Sequence, residues 1–343
     1  MLGIIYSLAA AATFALNAAA ARRAVLSGSV LQGLIITVPL GVPLFLVLMF
    51  VSGEIGLLAA FPLSAYLWFA AAGIVHFVIG RFGNYSSAAA IGTNLASPIL
   101  QSEVIVTLVL AMFVLGESLT PLRALGIVLV LIGPGLVGRG ATAAVPGGQG
   151  NGAVGRAAPP AAPSPATVAP AFTPRYAEGY AYAVLAAVGY GLSPVFIALG
   201  LRAAGGTGAL AGGFVSYVAA ATAVALAVVA LRTPRSTFRI SSGALKWFLF
   251  AGFVVFLSQA FRYAALAHAP ASVVTALQRL SSLFRIYFSW LINRDHEVFD
   301  SSVMAATVVS MLGAMALSIS TDLFLSLADW PEWLVWLAKL QWP

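Results

Sequence analysis

Cysteine is absent from the sequence and charged side chains are scarce, and each absence excludes a class of protein. Without cysteine there can be no disulfide, iron–sulfur cluster or thiolate zinc site. Charged residues make up only 8% of the chain, whereas a soluble domain carries roughly a quarter. Hydrophobic residues make up 61% of the 343 residues, and the mean hydropathy is +1.00. This composition predicts an integral membrane protein.

Several catalytic and energy-coupling motifs are also missing. The three histidines lack HExxH spacing, and no GxxxxGK[ST] phosphate-binding loop is present. The net charge of +7 is spread over short loops without a dense basic cluster, so nucleic acid is not an expected partner. Serine, histidine and glutamate occur in the apolar segments, but not at the spacing of a nucleophile beside its base. We therefore expect neither an enzyme nor a cofactor. An intramembrane enzyme or a non-transporting binding protein is the alternative of another class.

Ten apolar stretches are long enough to cross a bilayer, which needs about 20 residues per helix. Their predicted bounds are 3–21, 31–51, 64–87, 93–115, 121–138, 179–201, 209–231, 244–267, 271–292 and 302–320. Residues 139–178 are rich in Ala, Gly and Pro without an apolar period, which predicts a linker between two five-helix domains, 1–138 and 179–320. The tryptophans of residues 321–343 predict a short C-terminal helix at the membrane interface.

The two five-helix segments are related to each other in sequence. Tyr85 and Tyr263 stand at matching places 178 residues apart, and Glu117 and Glu297 stand 180 apart. Since five is odd, two tandem copies enter the membrane with opposite orientations. We therefore predict an all-α integral membrane protein of ten helices in two inverted repeats. This is the architecture of alternating-access transporters, whose substrate site lies near the midplane between the copies.

The segment NLASPIL…LGESLTPLRALGIVLVLIGPGL resembles the fourth and fifth helices of an EamA repeat in the drug/metabolite transporter (DMT) superfamily. The positions that carry the resemblance are Pro98, Gly116, Glu117, Gly126 and Gly133. In the second half, DHEVF stands in place of the Gly-Glu pair. The resemblance implies ten helices around a central cavity, and substrates among amino acids, metabolites, nucleotide sugars or drugs.

The ninth span, 271–292, carries the densest group of polar side chains. At 100° per residue, Gln278, Ser282, Arg285 and Ser289 fall on one face, and Arg279 lies about a quarter turn away. In lipid such a face must contact protein or water. One interpretation is a helix contact in which arginine caps a backbone carbonyl. The other is a cavity wall whose planar guanidinium groups bind a carboxylate or phosphate.

Two further arginines lie late in the third and eighth spans. Arg81 lies beside a face that carries His76 and Asn84, and Arg262 lies one position from the counterpart of Arg81 in the second repeat. Each arginine either lines a cavity or snorkels to the interface. His76 is interpreted as a packing residue.

Glu103 lies near the middle of the fourth span, where a buried charge is costly unless another group pairs with it. On a continuous helix it lies roughly opposite the face that carries Gln101. We predict an ion pair across the repeat interface with Arg279 or Arg285, which is either structural or a gate. Alternatively, Glu103 carries a proton, or stays buried and neutral as a spectator.

These patterns predict a secondary active transporter that moves a small anionic or zwitterionic metabolite, of amino acid or organic acid type, by alternating access. Glu103 is assigned to proton coupling or gating. The alternative in the same class is a proton-coupled exporter of cationic drugs or amines centred on Glu103. The predicted substrate-binding residues are Arg279, Arg285, Gln278, Ser282, Arg262, Arg81, Asn84 and Gln101.

The expected partners are a small-molecule substrate, the lipid bilayer and protons, and the oligomeric state is left open with a monomer allowed. A multi-pass location in a bacterial inner membrane is expected, since the chain is rich in Arg, Ala and Gly. Loops after odd-numbered spans hold ten basic residues, Arg22 among them, against three on the other side, which places those loops in the cytoplasm. The family resemblance implies the opposite orientation.

Overall fold

The computed structural model is helical in all its regular elements over the residues that it describes, which are 2–115, 120–143, 173–268, 277–319 and 321–340. Within these ranges, six helices are long and apolar enough to cross a membrane, and three shorter apolar helices accompany them. The main helices are α1 (Leu2–Val25), α2 (Val30–Val51), α3 (Leu63–Gly73), α4 (Arg81–Leu100), α5 (Glu103–Leu110), α6 (Pro121–Ala143), α7 (Tyr176–Ala203), α8 (Ala209–Ala230), α9 (Ser242–His268), α10 (Ser281–Asn293) and α11 (Ser301–Ser318). The predicted all-α membrane architecture is confirmed.

The helices of the two halves pack in pairs that the repeat relates. α1 packs on α9 while its counterpart α7 packs on α4, and α2 packs on α8 as α6 packs on α11. Small side chains make these contacts close: Ala20, Ala21 and Ala24 of α1 share a buried cluster with Ala244 and Ala251 of α9. Such residues allow helix backbones to approach closely in lipid. The first helix of each half therefore lies against the third span of the other.

The ends of the predicted linker are helical. α6 extends to Ala143 and α7 begins at Tyr176, so helix continues past both predicted bounds, and residues 144–172 lie outside the described residues. Gly116 and Glu117, which carry part of the family resemblance, also lie outside them.

The fourth and ninth spans are interrupted, although each was predicted as one continuous helix. A turn at Gln101–Ser102 separates α4 from α5, and a turn at Arg279–Leu280 precedes α10. At each turn an amide bonds the carbonyl three residues earlier, at 3.0 Å for Ser102 and 3.1 Å for Leu280. The breaks lie 178 residues apart, at equivalent places in the two repeats. Broken helices at membrane depth are tolerated where they line a cavity or are buried in protein. Residues 271–276 of the ninth span lie outside the described residues.

The C-terminal segment, predicted as one interfacial helix, forms two short helices, α12 (Thr321–Leu325) and α13 (Glu332–Ala338). The indole of Trp330 stacks on Phe324 at 4.8 Å between ring centroids, and its Nε1 donates to the Phe324 carbonyl at 3.1 Å. This contact closes the turn between the helices. Trp333 and Trp336 are exposed, as is typical of side chains at the headgroup level.

Gly92 is the point at which the chain bends between the third and fourth spans. Its φ is +81°, and a Cβ there would lie 2.5 Å from Oε2 of Glu297. We expect Gly92→Ala to lower the free energy of unfolding by about 2 kcal/mol or more, because backbone strain and a steric conflict add. Gly53 is a matched control, since its φ is +77° and nothing lies within 4 Å of an added Cβ. Denaturant unfolding of both variants separates the two contributions, and equal losses would contradict the close approach of Glu297.

Candidate functional site

A cavity of about 130 Å³ lies between the two halves, where α1, α4, α5, α7, α9 and α10 meet. Its volume has room for roughly ten water molecules, so a small metabolite fits. The structure brings all nine candidate residues from the sequence together in the lining, namely Arg81, Asn84, Gln101, Glu103, Arg262, Gln278, Arg279, Ser282 and Arg285. No part of the described chain groups three His, Cys, Asp or Glu side chains that could hold a metal ion.

Several lining residues were absent from the predicted set. Phe14 and Asn17 of α1 and Tyr190 of α7 contribute to the wall, and His76, interpreted as a packing residue, lies 4.7 Å from Tyr190 between ring centroids. A signal for these residues was present in the sequence, since FALNAA beginning at Phe14 matches YGLSPV beginning at Tyr190 in the repeat. The first helix of each half therefore supplies an aromatic side chain to the same cavity.

The predicted ion pair of Glu103 is formed with Arg279 rather than with Arg285. Arg279 Nη1 lies 2.5 Å from Glu103 Oε1, and the two side chains are 15% and 24% exposed. The prediction that Glu103 faces away from Gln101 is wrong, because both side chains line the cavity, one in the turn at Gln101–Ser102 and the other directly after it. Gln101 Nε2 donates to Ser282 Oγ at 2.5 Å, which adds a second contact between the repeats.

Arg81 is buried in the cavity wall, so the snorkelling alternative is wrong for it. Its Nη1 donates to Thr37 Oγ1 of α2 at 3.1 Å, and its guanidinium carbon lies 5.0 Å from the centroid of the Phe77 ring. Both partners are neutral, and the aromatic face stabilises the cation only moderately. Arg262 lies in the same cavity wall.

The Arg285 side chain has less support than the other guanidinium groups. Its Nε and Nη1 atoms are buried without a hydrogen-bond partner, as are Nε of Arg279 and Nε2 of Gln278. The helix-contact interpretation required an arginine that donates to a backbone carbonyl. In the described part of the chain, neither Arg279 nor Arg285 does so. A buried donor without an acceptor costs free energy, and the cavity is the space from which a ligand could supply one.

A buried network that sequence reasoning missed closes the linker end of the molecule. At its centre Arg22 Nε lies 3.7 Å from Glu297 Oε1, and both side chains are fully buried. The Arg22 guanidinium also donates to the carbonyls of Ala88, Ala89 (3.1 Å) and His296 (2.8 Å). Arg22 was counted as a loop cation, and this was wrong because the last turn of α1 packs inside the bundle.

Glu297 connects this network to the fourth span. Its Oε1 accepts from the amide and the hydroxyl of Thr93, each at 2.7 Å, and its Oε2 accepts from the amide of Asn94 at 3.0 Å. These amides begin the helical segment after Gly92, where a carboxylate interacts favourably with the helix dipole. Thr93 Oγ1 also lies 2.8 Å from Ser289 Oγ of α10. We call Arg22, Thr93, Asn94, Ser289 and Glu297 the linker-end network.

Comparisons with known proteins identify the relatives of this chain. The sequence model of the EamA-like transporter family matches residues 1–139 and 177–319. Eleven chains of solved structures match, and one of them is the crystal structure of a protein with a TM-score of 0.50 and 18% sequence identity, covering 90% of this chain and 96% of that chain. At this identity the likeness shows a shared fold. No curated protein sequence matches significantly.

Proposed function

The chain belongs to the EamA-like transporter family, within the DMT superfamily, and from this membership we propose that it is a secondary active transporter of a small anionic or zwitterionic metabolite. The observation that carries the proposal is the cavity between the two repeats, in which four arginines and one glutamate converge. A guanidinium group binds a carboxylate through parallel hydrogen bonds, and a carboxylate is common to amino acids and organic acids. The proposed location is the inner membrane of a bacterium.

Alternating access is supported by a difference between the two carboxylates. The Glu297 side chain is fully buried in the linker-end network, whereas the Glu103 side chain in the cavity is 24% exposed. This difference supports a conformation closed at the linker end, with a cavity that solvent reaches. The equivalent breaks at Gln101–Ser102 and Arg279–Leu280 also support it, since transporters of inverted repeats use discontinuous helices around the midplane site. Rocking of the repeats would then open the linker-end network.

In this proposal, substrate and Glu103 compete for one cation. Arg285 and Arg279 bind the anionic group, while Arg81, Arg262 and the neutral groups of Gln278, Ser282, Asn84 and Gln101 complete the site. When the substrate binds Arg279, Glu103 loses its partner and can take a proton. Substrate binding and proton binding are thereby coupled.

The test of the function is transport by the purified chain in proteoliposomes. Uptake of labelled metabolites is measured for anionic, zwitterionic and cationic groups of compounds, with protein-free liposomes as the control. We expect saturable uptake of an anion or a zwitterion. Uptake confined to cations would contradict the proposal and favour the amine exporter centred on Glu103, which is the alternative that the partial exposure of this carboxylate supports.

Glu103→Gln tests the proton step directly. We expect the variant to bind substrate and to transport at a rate that no longer depends on pH, because the amide cannot take the proton. Glu178→Gln is a matched control, since Glu178 is an exposed carboxylate that pairs with Arg175 outside the cavity. Initial rates at several pH values in proteoliposomes measure the difference. Full pH dependence in Glu103→Gln would remove the proton role.

A further inference from the structure

The cavity holds more positive charge than a zwitterion or a monocarboxylate would balance. Among the residues that the structure describes, its lining includes Arg81, Arg262, Arg279 and Arg285, against the single carboxylate of Glu103. The formal excess is three positive charges when His76 is neutral. Glu103 is already paired with Arg279. The remaining charge lies between two repeats inside a membrane protein, where an unbalanced cation is costly.

Two of these arginines form no salt bridge with a carboxylate within the described residues. Arg81 donates to the hydroxyl of Thr37 and lies over the Phe77 ring, both of which are neutral. Arg285 has no carboxylate within 4 Å, and two of its three nitrogens are buried without an acceptor. Arg262 has interactions of its own, so it is not included among these two arginines. The two arginines belong to different repeats, on α4 and α10.

Resting on the proposed function, we infer that the substrate is a dianion, a dicarboxylate or a phosphate monoester. One of its charges is balanced by Arg81, and the other lies between Arg285 and Arg279, the two arginines that the proposed function assigns to the anionic group. One anionic group would bind the first repeat and the other the second, so that the ligand joins the two halves that must rock together. An amino acid zwitterion would bring an ammonium group into a cavity with excess positive charge. Its net charge of zero would leave both arginines unbalanced.

Binding by three compounds with one carbon skeleton tests the charge of the substrate. Succinate carries two charges, succinamate one and succinamide none, and the purified full chain in nanodiscs of zwitterionic lipid is titrated with each at constant ionic strength. We expect succinate to bind at least about tenfold tighter than succinamate, and succinamide not to bind. Alanine is the zwitterionic probe. Glycerol phosphate tests the phosphate source, and the tighter of the two dianions identifies the anionic group.

Substitutions of Arg285 test whether this residue causes the preference for the dianion. In Arg285→Gln, the preference for succinate over succinamate should fall to about twofold or less. Arg285→Lys keeps the charge and should retain most of this preference. Arg235→Gln removes an exposed arginine outside the cavity and should change nothing. Equal affinities for succinate and succinamate, tighter binding of alanine, or no binding of any probe would overturn the dianion. If the dianion were overturned but the chain transported a zwitterion in proteoliposomes, the proposed transport function would still hold. The experiments therefore distinguish failure of the dianion proposal from failure of the transport proposal.

Discussion

Replacing Arg285 by glutamine is expected to reduce transport about a hundredfold or more, while the protein remains at least as stable as the parent. Loss of a hydrogen-bonded charge from a desolvated site costs about 2–5 kcal/mol of binding. The guanidinium group has two buried nitrogens without a hydrogen-bond partner among the described residues, so its removal also relieves a cost in the folded protein. Transport and stability therefore move in opposite directions. Initial uptake rates and thermal unfolding of the same preparation measure both.

Two further variants distinguish a role in binding from one in packing. Arg285→Lys keeps the charge without the planar fork, so its transport rate should lie between those of the parent and Arg285→Gln. Arg235→Gln, in an exposed 3₁₀ turn, should transport normally. If Arg285→Gln unfolded more easily yet transported normally per folded molecule, the residue would be structural and the cavity assignment would be wrong.

Replacing Glu297 by glutamine is expected to destabilise the protein by about 3–5 kcal/mol and to open its linker end. The change leaves Arg22 as a buried cation without its carboxylate, which is the costly way to break a buried pair. It also places an NH₂ group where Thr93 and Asn94 direct their amides. The double variant Arg22→Gln/Glu297→Gln removes both charges, and we expect it to recover part of the loss.

Opening of the linker end can be measured by thiol labelling, because the natural chain contains no cysteine. Ser289→Cys introduces one thiol at a fully buried position of the linker-end network. A membrane-impermeant maleimide should label it slowly in the parent background and several-fold faster beside Glu297→Gln. Ser236→Cys, in an exposed turn, should label equally in both backgrounds. An unchanged rate at residue 289 would contradict the assignment of this network as a closure.

The sequence by itself determined the membrane class, the helical architecture and the polar side chains that share the cavity. These follow from lipid as a solvent: a span of apolar residues must be a helix in this fold class, and a polar side chain within it must turn toward protein or water. The nine candidates therefore converge, and the sequence also limited the predicted partner of Glu103 to Arg279 or Arg285. The odd number of spans in each half similarly determined the inverted repeat.

The tertiary structure alone decided which charges pair. Glu103 pairs with Arg279 rather than with Arg285, and both members of this pair lie at or next to the turns that interrupt the fourth and ninth spans. Arg22 and Glu297 are 275 residues apart, and each alone is typical of a loop charge. Only the packing of the end of α1 against α4 and α10 buries them together. Burial depth and distance between remote residues arise from helix packing, and the local pattern of a sequence does not contain them.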